Sequence, residues 1–521
     1  MTAVPHILIV MDGWALSPIR KGNAVAAAKT PNFDFFWANY PHTQLEACGR
    51  AVGLPEGQMG GSEVGHLNLG AGRVMLQDMT FIESLIESGE FFENDALLSA
   101  INNAKENDSQ LHFLGLLSDG GVHSDISHLF ALLELAKRHG LTKVFVHAML
   151  DGRDVSPKSA SRFFTSLDEK MNELGVGKIA SISGRYSGMD RDHNWDRIES
   201  YYDVMTSGLG EKTRSWTELI ESSYANGVTD EFVTPTVVTN EDGTPVATIS
   251  DNDSVVYFNF RSDRAKQMTR VFTQADFSGF QRKAAPKVHF VCFKRYDDDI
   301  QAETAFAKPT HSNLLAEYLS QLGLRQLHIA ETEKYNHVTY FFNGERMEPF
   351  EGEDRIKEAS PDVATYDLKP EMSAYEITEK LLAALDKQIY DFIVLNFANG
   401  DMVGHSGIVE ATMKAVETVD ECVGKIVNKV VSQGGTAFVT ADHGNADEMI
   451  DLSTLFTDSH QPWTAHSLNP VPFIVVSEKL KNEGAWLLES SGKLADVAPT
   501  MLKVMGIDIP DEMTGNCLLK S

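Results

Sequence analysis

Ile7-Leu-Ile-Val-Met-Asp12-Gly13 is five apolar residues that run straight into a carboxylate and a glycine. A short, unbroken apolar run of this kind reads as a strand buried on both faces, which is the signature of a parallel sheet covered by helices. The same pattern recurs along the chain. Strands are predicted at Leu111 to Leu117, Val144 to Met149, Ile179 to Ser183, Val255 to Phe260, Phe392 to Phe397 and Ala437 to Ala441, each followed by a turn rich in Gly, Asp or Asn. Longer helical patterns alternate with them, so the expected fold class is α/β with mostly parallel sheets. In such sheets ligands bind beyond the carboxyl ends of the strands, and those turns are where the chemistry belongs.

The turns fall into two groups. Those after residues 11, 397 and 441 carry Asp and His, whereas those after 117, 149, 183 and 260 carry His, Arg and Asp. The first group comes from the two ends of the chain and the second from its middle. One domain interrupted by another explains this, with residues 1–77 and 310–521 forming the outer domain and 80–307 the insert. The expected crossings lie near 77–80 and 305–310, the second just ahead of a helix predicted over Ser312 to Leu322.

The 521 residues carry a formal charge of −29, which repels the phosphates of nucleic acid and argues against it as a partner. No apolar run approaches the ~18 residues that span a bilayer. The N-terminal run has neither the basic leader nor the cleavage site of a secretory signal, so the expected location is cytoplasmic, without a membrane. Cys48, Cys292, Cys422 and Cys517 are scattered without CxxC spacing, which fits a reducing compartment and excludes a zinc-thiolate site.

Asp12 alone reads as an ordinary Asp-Gly turn. It is joined by Asn399-Gly-Asp401-Met-Val-Gly-His405, whose Asp and His share a face if the segment is helical. Thr440-Ala-Asp442-His443 ends another strand, and Thr464-Ala-His466 follows. His460 competes with His466 for this role, and His466 is preferred. Three Asp and three His suffice for two ions, and carboxylate with imidazole suits Mn²⁺, Zn²⁺, Co²⁺ or Mg²⁺, in an order the residues leave open. Gly60-Gly-Ser62-Glu-Val-Gly-His66 places a serine at the start of a predicted helix. By itself Ser62 is an N-cap. Beside a metal set it reads as a nucleophile whose hydroxyl a metal ion activates. His66 reads as structural.

Asp12, Ser62, Asp401 with His405, Asp442-His443 and His466 resemble, in order, the two-metal site of the alkaline phosphatase superfamily. The middle motifs narrow the resemblance. Asp119-Gly-Gly-Val-His123, Asp151-Gly-Arg153-Asp154, Gly184-Arg185-Tyr, Met189-Asp-Arg191-Asp, Asn259-Phe-Arg261-Ser-Asp-Arg264 and Glu333-Lys334-Tyr are similar to the cofactor-independent phosphoglycerate mutases, over almost the whole chain. The resemblance implies an alkaline-phosphatase-like three-layer domain interrupted by a substrate-binding α/β domain. It also implies a monomer that works in glycolysis and gluconeogenesis and interconverts 3- and 2-phosphoglycerate without 2,3-bisphosphoglycerate. Two divalent ions, Mn²⁺ first, would be held by Asp12, Ser62, Asp401, His405, Asp442, His443 and His466. Ser62 would form a phosphoserine, and Asp154 would serve as base and acid for the glycerate hydroxyls. His123, Arg153, Asp154, Arg185, Arg191, Arg261, Arg264 and Lys334 would bind a substrate lying between the domains, with interdomain closure excluding water. A phosphopentomutase, a phosphatase or a sulfatase-like hydrolase on the same metal core is the nearest rival, and a scaffold that kept the fold is a more distant one. The sequence departs from the family's usual wording at Ala15, Gly61, Ser262 and Gly400, and in a longer stretch between His443 and His466.

Overall fold

A computed structural model describes residues 3–307, 311–454, 460–483 and 488–520, so part of the 305–310 crossing and part of the stretch between His443 and His466 lie outside the described residues. The chain divides into two compact units, Met1–Gln77 with Thr310–Ser521, and Asp78–Pro309.

The first unit holds an eight-stranded sheet in the spatial order Glu353–Glu358, Gln326–Glu331, Phe392–Phe397, His6–Met11, Thr436–Thr440, Val471–Val476, His42–Glu46, Gly492–Lys493. The first five strands are mutually parallel. Every residue of Phe392–Phe397 and Thr436–Thr440 is buried, as the continuous apolar runs require. Two separate groups of helices pack with it. Ala374–Asp386 lies on the long helix Val409–Ser432, which also meets Pro31–Asn39, whereas Ser62–Ala71 groups with Leu315–Gln321 and Val497–Met505. Sheet and helices share one core. The α/β reading is borne out.

The second unit has its own eight-stranded sheet, and four adjacent strands in it, Ser254–Tyr257, Leu111–Leu117, Val144–Leu150 and Lys178–Gly184, are parallel. Side chains alternate between its faces. Leu111, Phe113 and Leu117 join one core, and Leu114 and Leu116 the other.

Two elements differ from their sequence reading. The strand expected over Val255 to Phe260 ends at Tyr257. Beyond it Asn259 turns its side chain back to accept the Leu116 N–H at 2.9 Å. The helix expected over Ser312 to Leu322 is Leu315–Gln321, because Asn313 adopts a left-handed φ of 55° that a helix cannot contain.

Candidate active site

In the first unit four neighbouring parallel strands deliver their carboxyl ends to one place. Met11 leads into Asp12, Phe397 into the short helix Asn399–Gly404, Thr440 into Asp442 and His443, and Glu331 into Lys334. Asp401 and His405 stand one helical turn apart, with His405 Nε2 3.1 Å from Asp401 Oδ1. Gly13 makes the junction possible, since its φ is +76° and a Cβ there would lie 2.6 Å from the Asp401 nitrogen.

Ser62 is the first residue of the helix Ser62–Ala71. Its hydroxyl lies 2.6 Å from Lys334 Nζ, 2.9 Å from His443 Nε2 and 3.2 Å from Asp12 Oδ1. Ser62 stands at the helix end whose first backbone N–H groups lack intrahelical partners and which carries the positive end of the dipole. Gly65 lets this helix approach, because a Cβ at that position would sit 2.7 Å from Asp442 Cβ.

Three triads bring potential ligand atoms within 4.8 Å of one another: Asp401, His405 and His466; Asp12, Asp401 and His443; Asp12, His66 and Asp442. The first is decisive for metal fit. His405 Nδ1 faces the Thr464 carbonyl at 2.7 Å and His466 Nδ1 faces the Gly60 carbonyl at 2.6 Å. A carbonyl only accepts, so each ring carries a hydrogen on Nδ1, and in the neutral imidazole its Nε2 lone pair is left bare. Those lone pairs face each other at 3.3 Å, with Asp401 Oδ1 3.2 Å from His466 Nε2. Converging lone pairs and a carboxylate repel one another unless a cation stands among them. The oxygen and imidazole donors therefore fit divalent ions of the borderline and hard kind. His443 stacks on His466 with ring centres 3.9 Å apart. His460 instead bonds the Thr454 carbonyl and joins none of the three triads.

The electrostatics follow from burial against charge. Burial alone raises the Asp12 and Asp401 carboxyls, but the Lys334 ammonium, 2.9 and 2.6 Å away, outweighs it and holds both well below the usual carboxylate range. Burial pulls Lys334 down, and Asp12, Asp401 and Asp442 together drive it up instead. His443, likewise buried, is raised to about 10 by Asp442, Asp12 and Asp401.

The second unit builds an opposite set on its four parallel strand ends. Arg185, 2% exposed, donates to Asp151 at 2.7 Å and to Asp154. His123 lies 3.8 Å from Asp154 and is pushed down to about 4, first by burial and then by Arg185. Asp263 ties Arg261 at 3.0 Å to Arg191 at 3.2 Å. Arg264 bonds the Met189 carbonyl at 3.0 Å, and Arg153 reaches Glu231 at 3.5 Å. Arg153, Arg191 and Arg261 each leave about half of the side chain exposed, at 55, 47 and 50%. Lys334 belongs to the carboxylate cluster of the first unit.

Several participants escaped the sequence reading. Asn396 and Asn445 hold site residues and Asp447 braces a neighbouring turn, while Asp151 and Asp263, inside motifs already singled out but given no role there, hold Arg185, Arg191 and Arg261. Asn445 Nδ2 donates to Asp401 Oδ1 at 2.9 Å, and Asp447 accepts from Ser467 at 2.8 Å and Asn469 at 2.7 Å, bracing the turn that follows His466. Asn396 carried a usable signal, being the one polar residue in the strand Phe392–Phe397.

Comparison with known proteins agrees with this geometry. The chain is 55% identical over 520 residues to the 2,3-bisphosphoglycerate-independent phosphoglycerate mutase of Clostridium perfringens, covering 100% of both chains. It is 54% identical over 521 residues to the protein of that name from Clostridium acetobutylicum, again over 100% of both. Residues 82–298 match the family model of the BPG-independent PGAM N-terminus, and 257–495 match that of type I phosphodiesterase / nucleotide pyrophosphatase. Among solved structures, Leishmania mexicana phosphoglycerate mutase at low cobalt concentration superimposes with a TM-score of 0.60 at 34% identity, over 100% of this chain and 98% of that one. Two full-length relatives above half identity, on a fold that gathers a serine with carboxylates and imidazoles, place the chain in the 2,3-bisphosphoglycerate-independent phosphoglycerate mutase family of isomerases.

Proposed function

We propose that the protein interconverts 3-phosphoglycerate and 2-phosphoglycerate through a phosphoserine on Ser62, with two divalent ions and no 2,3-bisphosphoglycerate. The observation that carries this reading is the Ser62 hydroxyl, set at a helix start within 2.6–3.2 Å of Lys334, His443 and Asp12. One ion would be held by Asp401, His405 and His466, and the other by Asp12, Ser62, Asp442 and His443, with Mn²⁺ ahead of Mg²⁺, Co²⁺ and Zn²⁺. When bound, such ions lower the pKa of a coordinated hydroxyl and offset charge on the phosphoryl oxygens.

The rest is the work of the chain's own groups. Ser62 Oγ, deprotonated at the start and end of the cycle, bonds to phosphorus while the bond to the glycerate oxygen breaks, and Asp154, which starts protonated, supplies its proton to that leaving oxygen. Lys334 and the N–H groups of the helix Ser62–Ala71 face the phosphoryl charge. Arg153, Arg191 and Arg261, with their exposed guanidinium forks, grip the carboxylate or phosphate of the substrate, and Arg185, Arg264 and His123 hold Asp154 and the clamp in place. Asp154 then takes the proton of the other glycerate hydroxyl, which attacks phosphorus and releases Ser62. The protein is a cytoplasmic, monomeric enzyme of glycolysis and gluconeogenesis on this reading. Among the described residues, no helix is long and apolar enough to cross a membrane.

The test is conversion of 3-phosphoglycerate to 2-phosphoglycerate without added bisphosphoglycerate, with and without Mn²⁺, in wild type and Ser62→Ala. Activity is expected only in metal-loaded wild type. Near-wild-type turnover by Ser62→Ala, or full activity after exhaustive chelation, refutes the proposal.

A further inference from the structure

The geometry assigns His66 and Asn396 a positioning role: a two-residue link that orients the Asp12 and Asp442 carboxylates for a cation without ligating it. The inference rests on the metal reading above and concerns residues that reading leaves idle. Asn396 Nδ2 lies 2.8 Å from Asp12 Oδ2 and 3.1 Å from His66 Nε2. An amide nitrogen is donor only and carries two hydrogens, so one goes to each, and His66 Nε2 must accept. The hydrogen of the imidazole is thereby fixed on Nδ1. That nitrogen lies 2.9 Å from the Ser62 carbonyl and 3.1 Å from Asp442 Oδ2.

His66 is thus one turn along the helix that opens with Ser62, clamping the backbone of the nucleophile while presenting an N–H to Asp442. All four residues are buried at 1% exposure or less. The triad Asp12, His66 and Asp442 has the spacing of a third cation site, but the tautomer rules it out. Nε2 spends its lone pair on the Asn396 amide, and Nδ1 carries a hydrogen. The Nδ1 hydrogen is bonded to the Ser62 carbonyl, and neither oxygen of Asp442 accepts a hydrogen bond, so both stay open toward a metal while the N–H, 3.1 Å from Oδ2, biases the carboxylate electrostatically. Partners that orient metal ligands in this way typically contribute 10–100-fold to metal affinity.

The experiment uses the full chain stripped of metal and then titrated with Mn²⁺ against a competing chelator, with bound metal counted and the visible spectrum recorded on Co²⁺ loading. Variants are His66→Ala, His66→Asn, whose amide nitrogen can stand where Nδ1–H does, and Asn396→Leu, which keeps shape and removes the donor. We expect wild type and all variants to bind the same number of ions at saturation. One of the two affinities should fall 10–100-fold in His66→Ala and Asn396→Leu with an altered Co²⁺ spectrum, and His66→Asn should recover most of it. Loss of a whole equivalent of metal in His66→Ala would make His66 a ligand and overturn the assignment. So would affinities and spectra equal to wild type in Asn396→Leu, which decides the matter if His66→Ala fails to fold. Wild type that binds no divalent ion would instead bring down the metal reading on which this stands.

Discussion

Replacing Lys334 by Met keeps the length and most of the volume of the side chain and deletes one buried charge. In the folded protein that ammonium sits 2.9 Å from Asp12 and 2.6 Å from Asp401, all three essentially excluded from water. Removing one partner of a buried ion pair costs about 3–5 kcal/mol, because the remaining charge is left uncompensated. Here two carboxylates lose the same partner, so the upper part of that range applies to the metal-free protein. Cations bound at the site would restore positive charge, and saturating ligand at 100 times its Kd adds ~2.7 kcal/mol of stability. The variant should therefore gain more from Mn²⁺ than wild type does. A pH dependence follows as well. Asp12 and Asp401 have depressed pKa values, so the stability they contribute is present above the ordinary carboxylate range near pH 4 and fades as pH falls below it. Lys334→Met raises both carboxyls, so the gap between wild type and variant should be widest near pH 7 and close toward pH 3. Urea unfolding at pH 7 and pH 3.5, with chelator and with Mn²⁺, reads all of this. A variant as stable as wild type without metal, or one equally destabilised with and without it, would show that the ammonium does not balance the carboxylates as described.

Glu331, fully buried at the end of its strand, is pushed up to about 7 by burial from an ordinary 4.5. The folded state then holds its proton more tightly than the unfolded one, so this residue's contribution weakens as pH rises from about 4.5 through 7. Glu331→Gln should remove a decline on the order of 3 kcal/mol across that window, seen in urea unfolding as a function of pH. Gly400→Ala should cost about 1–3 kcal/mol and weaken divalent-ion binding, because the new Cβ would lie 2.5 Å from the Asp12 carbonyl oxygen, a backbone atom that cannot swing away. Titration of the stripped protein with Mn²⁺ checks it. Arg185→Lys keeps the charge but, on a shorter side chain, draws it back from Asp151 and Asp154, both of which Arg185 holds through the single nitrogen Nη1. A loss of ~2 kcal/mol in kcat/KM, about thirtyfold, is expected in the mutase assay, and an unchanged value would detach Arg185 from the clamp.

The α/β architecture was legible because parallel strands buried on both faces are short and predominantly apolar, and Phe392–Phe397 or Leu111–Leu117, each with a single polar side chain, could be little else. The chemistry-bearing turns were legible for the same reason, since each strand announced where it stopped. What sequence could not show is how distant backbone fixes side-chain protons. The convergence of His405 and His466 depends on carbonyls of Thr464 and Gly60, and nothing in those residue types marks them as acceptors. The surroundings of Lys334 were hidden for a related reason. Its positive charge grouped it with the arginines, whereas its position after the strand Gln326–Glu331, next to Phe392–Phe397 in the sheet, carries it among the aspartates.

The two units use one device with opposite sign. In each, four adjacent parallel strands end at a common edge, and the turns there are loaded with Asp and His in one case and with Arg, Asp and His in the other. A chain of net charge −29 repels a small phosphate ester at long range, with a field that salt screens beyond about 8–10 Å. On the proposed function, capture would depend on short-range, half-exposed guanidiniums such as Arg153, Arg191 and Arg261, whose geometry suits bidentate bonds that screening weakens little. The same negative field favours divalent cations near Asp12, Asp401 and Asp442. Raising ionic strength should then weaken divalent-ion binding more steeply than it raises the KM for phosphoglycerate. A KM that instead falls as salt is raised would mean that screening of the global repulsion, and not the local arginines, governs access of the substrate.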